Sequence, residues 1–158
     1  MDMLRRSLLK GVGASGVLTA VLAAGLLKPG RVFAAEEWNK AAFDAKDVGA
    51  ALKGLGAGSA ADSKDILLKA PDIAENGAVV PVEVVSNIPN TVSIAVLSQK
   101  NPLPLATSFD FANGALPEVQ VRVRLASTTM VQAVVKTADG KFYTAQKEVK
   151  VTVGGCGG

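Results

Sequence analysis

The chain has 158 residues, 49% of them hydrophobic and 4% aromatic, with 16 glycines, 7 prolines, one cysteine and no histidine. That composition is far from disordered or fibrous chains and suits one globular domain; without histidine there is no Ser-His or Cys-His nucleophilic pair and no common histidine metal site, and one cysteine excludes a multi-cysteine zinc or iron–sulfur centre. The formal net charge of +3 belongs to the first 34 residues, where five basic side chains face only Asp2; the remainder carries 12 basic and 13 acidic groups, net −1, and so does not support a basic chain bound to nucleic acid.

The chain opens with an export pattern. "RRSLLK" (Arg5, Arg6, Ser7, Leu8, Leu9, Lys10) precedes the uncharged run Gly11 to Leu27 and then Val32-Phe33-Ala34, whose small residues suit a signal peptidase. Cleavage is expected after Ala34, and the paired arginines resemble a twin-arginine signal, the ordinary secretory route being the alternative. A membrane anchor fits poorly, because the run has 17 residues, four of them glycine, against the roughly 20 that a span needs.

After the leader, "AEEWNKAAFDAKDVGAALKGL" places Trp38, Ala41, Ala42, Ala45, Val48 and Leu52 at spacings of three and four, which predicts an amphipathic helix weakened and ended by Gly49, Gly54 and Gly56. The period then changes to two. Val119, Val121, Val123 and Leu125 alternate with Gln120, Arg122 and Arg124, and Val149, Val151 and Val153 alternate with Lys150 and Thr152, as half-buried strands do. Further β-rich runs are "AVVPVEVV", "TVSIAVLS", "MVQAVVK" and "FYTAQKEVKVTV"; Asp139-Gly140 between the last two is a hairpin signal, its two positions tolerating positive φ. About seven short strands predict a mainly β fold, an antiparallel sandwich of immunoglobulin-like kind with a short N-terminal helical segment and a flexible C-terminal arm. The domain boundaries are then 1–34 for the cleaved leader, 35–153 for the helix and sandwich, and 154–158 for the arm.

Met130 and Val134 are apolar on the parity opposite Val131, Ala133 and Val135, so both faces of that strand need cover. A partner subunit, a sandwich edge or a docked helix would each provide it. The carboxylates Asp44, Asp47, Asp62, Asp65, Asp72 and Glu75 show no spacing for acid–base work or calcium and read as solvated surface. Residues 119–158 carry net +4 and residues 35–118 net −5; the positive half has the means to attract small anions, although Arg122 and Arg124 also read as the wet face of a strand. The few aromatic residues after the leader, Trp38, Phe43, Phe109, Phe111, Phe142 and Tyr143, make no evident stacking platform for single-stranded nucleic acid.

The chain closes on Gly154, Gly155, Cys156, Gly157 and Gly158. An exported protein with an odd cysteine either pairs between molecules or presents a reactive thiol. Four glycines remove every neighbouring Cβ and leave the backbone almost any φ/ψ, and the stretch from Val153 to Cys156 spans at most roughly 10 Å. Nothing adjacent strongly lowers the thiol pKa, the nearest fixed cation being Lys150, so the group is available without being self-activated. That combination suits a carrier whose activating groups belong to other proteins. A prenylation box would place the cysteine fourth from the end, and here it is third.

The twin-arginine leader, the β body containing "APDIAENGAVVPVEV", the "DGKFY" segment and the terminal "KVTVGGCGG" together closely resemble the SoxY family, substrate carriers of the periplasmic thiosulfate-oxidising Sox system. The resemblance implies that Cys156 is the covalent attachment point for sulfur intermediates and that the chain is a non-catalytic subunit with no metal or other cofactor of its own. It implies a SoxZ-like β-sandwich partner lacking its own leader, a c-type cytochrome complex that conjugates thiosulfate oxidatively, a hydrolase that releases sulfate and, in many systems, a molybdenum sulfane dehydrogenase. Neither nucleic acid nor, after leader cleavage, membrane is an expected partner, and the location implied is periplasmic. The competing readings are an exported binding or structural module that uses the tail cysteine for intermolecular disulfides, and a one-cysteine thiol enzyme, for which the sequence offers no base.

Overall fold

A computed structural model describes residues 39–153. Arg5 and Arg6 of the expected leader, Trp38 of the expected helix, and the tail residues Gly154, Gly155, Cys156, Gly157 and Gly158 lie outside the described residues.

The helical segment is two helices, not one. α1 spans Lys40–Phe43 and α2 spans Val48–Gly54. The apolar spacing continues across the break, but Asp47 is extended (φ −140°, ψ 159°), and its carboxylate accepts from Ala50 N at 2.8 Å, which starts a new helix at Val48. Asn39 caps α1 in the same way, accepting from Ala42 N at 3.1 Å, and its side-chain amide reaches Gly54 O at 2.9 Å to tie the end of α2 back to the start of α1. Gly56 (φ +80°) then ends α2: its N–H bonds to Lys53 O and Ala57 N–H to Leu52 O, the paired bonds of a Schellman cap.

Nine strands come after the helices: β1 (Ala61–Asp62), β2 (Ile66–Lys69), β3 (Ile73–Ala74), β4 (Val80–Ser86), β5 (Thr91–Ser98), β6 (Leu105–Asp110), β7 (Glu118–Val123), β8 (Thr129–Thr137) and β9 (Phe142–Val151). They form two sheets, the larger ordered β1-β9-β8-β5-β6 with β3 also on β9, and the smaller ordered β2-β4-β7. The expected antiparallel pairing holds for the long strands. The two-residue strands β1 and β3 depart from it and run parallel to β9, occupying parts of an edge that would otherwise present free backbone groups.

Strict alternation marks the smaller sheet. In β4, Val80, Val82 and Val84 are buried and Pro81 is exposed, so one row of valines faces inward to meet Ile94, Val96, Val131, Val135 and Val149 of the larger sheet. β5 and β8 instead bury continuous runs, Ile94–Ser98 and Val131–Val135, because the larger sheet is covered twice. Its second face carries Ala95, Leu97, Leu105 and Val134, packed on Ala42, Ala45, Ala51 and Ala57 of the helical segment. Of the three covers open from sequence, the docked helices are the one found over Val134.

Alanine on the helices lets them lie close to the sheet and to each other. A Cβ built on Gly54 would stand 2.7 Å from Ala42 Cα, so glycine at this position is required by the contact between the helices. The β8–β9 hairpin also refines its sequence reading: Gly140 alone takes positive φ (+80°), while Asp139 does not, and Thr137 N–H bonds to Lys141 O at 3.0 Å. This is the three-residue loop with one left-handed position, not the mirror-image turn of two. Among the described residues, no helix is long and apolar enough to cross a membrane.

Candidate functional site

The candidate functional residue singled out from sequence, Cys156, and its flanking glycines lie beyond the last described residue, Val153. What the structure places is the root from which they extend. β9 ends at Val151, and the segment 72–77 runs alongside its end and the two residues beyond. Asp72 O accepts from Lys150 N at 3.0 Å, Ala74 O accepts from Thr152 N at 3.1 Å, and Gly77 N donates to Val153 O at 2.8 Å. The Thr152 hydroxyl adds a bond to Glu75 O at 2.9 Å, and Val151 N donates to Thr128 Oγ1 at 3.0 Å from the opposite side.

This clamp is itself anchored. Gly77 is buried, and its carbonyl accepts from Leu125 N at 2.7 Å, joining the clamp to the end of the smaller sheet, while Ala74 packs in the main core. Asn76 Oδ1 accepts from Ala78 N at 2.8 Å, turning the chain out of the clamp toward β4. Lys147 closes the other end, donating to Ala70 O at 2.6 Å and pairing with Asp72 at 3.0 Å. Backbone bonds therefore accompany the strand to Val153, after which covalent geometry allows Cys156 Cα at most roughly 10 Å of reach.

Sequence reasoning identified the thiol but assigned no role to the clamp. "APDIAENG" and the "KVTV" preceding the tail were both visible as motifs, yet their contact is made almost wholly by backbone groups and leaves no side-chain signature.

The acidic residues noted in the sequence are dispersed. Asp44 pairs with Lys40, Asp47 caps α2, and Asp72 pairs with Lys147. No cluster of three or more His, Cys, Asp or Glu able to hold a metal occurs among the described residues. The described scaffold thus anchors the root of a segment that carries the chain's single thiol.

The fold and this anchored strand end define a mainly β sandwich domain with a short helical layer, whose last strand is tied down to the point where a glycine-framed cysteine begins. A family model described as "Sulfur oxidation protein SoxY" matches residues 52–156, a span that includes both the clamp and Cys156. The chain belongs to the SoxY family of sulfur oxidation proteins. The solved structure of the sulfur carrier protein SoxY from Chlorobium limicola f thiosulfatophilum is similar at 44% identity and a TM-score of 0.54, covering 61% of this chain and 88% of that one. A superoxide reductase (neelaredoxin) from Ignicoccus hospitalis, 20% identical with a TM-score of 0.50, covers 58% of this chain and 82% of its own and shares the fold alone. No curated protein matches the chain.

Proposed function

We propose that the chain is a covalent carrier of sulfur intermediates in thiosulfate oxidation, with Cys156 as the attachment point and Gly154, Gly155, Gly157 and Gly158 as a slender arm. The observation that carries this reading is the match of the SoxY family model through Cys156, on a strand end held by the clamp of residues 72–77. In this reading a c-type cytochrome complex removes two electrons as the Cys156 thiolate and thiosulfate join to form Cys156–S–S–SO₃⁻. A hydrolase then adds water across the terminal S–S bond, releasing sulfate and two protons and leaving the persulfide Cys156–S–S⁻. A sulfane dehydrogenase oxidises the remaining sulfur in systems that contain one.

The chain supplies access and placement, and its partners supply activation. Exchange at an S–S linkage depends on approach to the sulfur and on the attacking and leaving groups, and glycines on both sides keep that approach open. The chain pairs with a SoxZ-like subunit, needs no cofactor of its own, and reaches the periplasm by the twin-arginine route directed by Arg5 and Arg6.

Intact-mass analysis of the mature protein from thiosulfate-grown cells, beside Cys156→Ser, tests the reading. Sulfur adducts confined to the wild-type tail peptide support it. Disulfide-linked dimers alone favour an intermolecular cross-linking module, and turnover by the purified chain without partners favours a thiol enzyme; either result overturns the carrier. The serine variant is expected to lose thiosulfate-dependent electron transfer in a reconstituted system while its stability changes by no more than about 0.5 kcal/mol, as for a surface substitution.

A further inference from the structure

We infer that the groove between β6 and β7 is an oxyanion site in which Arg122 and Arg124 hold the sulfonate end of cargo carried on this chain's own tail. The inference rests on the carrier reading above.

β6 is one edge of the larger sheet and β7 one edge of the smaller, and between them lies a groove of about 490 Å³ lined by Asn101, Ala106, Thr107, Val121, Arg122 and Arg124, among others. Arg122 lies on β7 and Arg124 one residue beyond its end; both line the groove and both are exposed. Among the described residues neither makes an ion pair, whereas Lys40, Lys69, Lys141 and Lys147 each face a carboxylate. No acidic residue lines the groove; Asp110 and Glu118 lie at the other end of the two strands, beside the connection 111–117. The backbone beneath is braced, because the Asn101 side chain donates to Arg124 O at 2.7 Å and accepts from Ala126 N at 3.0 Å.

The groove is also next to the root of the tail. Leu125 N bonds to Gly77 O and Gly77 N bonds to Val153 O. Covalent geometry and the N···O distances keep the Cα atoms of each linked pair within roughly 6.6 Å, so Leu125 and Val153 are separated by no more than about 13 Å. The tail to Cys156 spans up to roughly 10 Å, and the S–S–SO₃⁻ group and an arginine side chain each extend beyond their own Cα. The sulfonate therefore lies within reach of Arg124 and its neighbour without movement of the clamp.

The chemistry matches the cargo. A sulfonate presents oxygens that a guanidinium meets with paired N–H donors, which a lysine does not do in the same plane. At an exposed site this contact is too weak to hold a free oxyanion, but a tethered one is present at an effective concentration of order mM. Docking then depends on what the tail carries. Release of sulfate removes the oxyanion, the persulfide has no sulfonate to offer the arginines, and the arm is freed for its next encounter.

Loading with tetrathionate tests this without any partner enzyme: the Cys156 thiolate attacks, thiosulfate leaves, and Cys156–S–S–SO₃⁻ remains. The arginine Nε–Hε resonances and the heteronuclear NOEs of the tail glycine amides are read before and after loading. The expected result is a shift of Arg122 and Arg124 and a rise in the tail NOEs, both reversed by about 0.5 M NaCl and both absent in the Arg122→Gln/Arg124→Gln protein with its sheet amides still dispersed. Absence of any shift on loading wild type, or equal tail ordering in the double variant, overturns the proposal. An equal shift when free thiosulfate is added to Cys156→Ser overturns the tethered occupant. Because loading is chemical, these failures leave the carrier reading standing, and that reading's own failure appears in the mass of the cellular protein.

Discussion

Gly77 donates its backbone N–H to the carbonyl oxygen of Val153 across 2.8 Å, and its own carbonyl receives Leu125 N–H at 2.7 Å. One buried glycine thus ties the last described residue of the chain to the end of the smaller sheet. Among the described residues, backbone hydrogen bonding runs with the strand as far as Val153, three residues before Cys156 in the sequence.

The side-chain part of this tie is open to mutation. Thr152→Val keeps the shape of the residue and deletes the hydroxyl that donates to Glu75 O. A loss of about 1 kcal/mol is expected, the usual net worth of one hydrogen bond, with faster amide exchange at Thr152 and Val153 and with Thr152→Ser close to wild type. Thermal unfolding and hydrogen exchange measure both; three equal proteins would show that the hydroxyl does not hold the clamp.

Gly54→Ala sets helix propensity against contact. Alanine is the better helix former by about 1 kcal/mol, but its methyl carbon would stand 2.7 Å from Ala42 Cα and 2.8 Å from Ala42 N, backbone atoms that cannot swing aside. The contact wins, and a net loss of about 1–3 kcal/mol is expected. Gly58→Ala meets nothing within 4 Å and serves as the neutral comparison.

The helical layer should be as necessary as the space between the sheets. Leu97 is fully buried beneath it, and Leu97→Ala is expected to cost about 2–5 kcal/mol in denaturant unfolding. Removing residues 39–57 would uncover Ala95, Leu97, Leu105 and Val134 together, so the truncated chain should bind a hydrophobic dye and self-associate. A monomeric, dye-silent truncation would mean that this face needs no cover.

Asp139 gives the hairpin a pH dependence. Hydrogen bonds from Lys141 and then Thr137 lower its carboxyl from the ordinary value of 3.8 to about 2. A carboxyl whose pKa is depressed by folding contributes stability above its unfolded pKa and loses that contribution as pH falls through the folded value, here between about 4 and 2. NMR titration of the Asp139 carboxyl should give a midpoint near 2, and Asp139→Asn should remove this part of the acid dependence. A midpoint near 4 would mean that the Lys141 and Thr137 contacts do not persist in solution.

The strands with one buried face were legible from residue order alone. In β4 and β7, and in the Val149 portion of β9, side chains alternate between two environments, and a period of two in hydrophobicity is the direct record of that. Cys156 was legible for a different reason: it is the chain's only thiol and stands among glycines, so its chemical distinction needs no fold to reveal it.

Three features were decided only in three dimensions. The break between α1 and α2 is hidden because the apolar spacing passes through it unbroken, and the interruption depends on Asp47 adopting an extended backbone and capping α2. The cover over Val134 is hidden because an apolar face states that something packs there without naming it; alanines 42, 45 and 51 answer only once the chain folds back on the larger sheet. The clamp on Val153 is hidden most completely, since residues 72–77 meet residues 150–153 from the far end of the chain through peptide N–H and C=O groups, which nearly every residue possesses. Side-chain order records which surfaces are buried, but a backbone contact between distant segments is chosen by topology, and only the tertiary structure determines it.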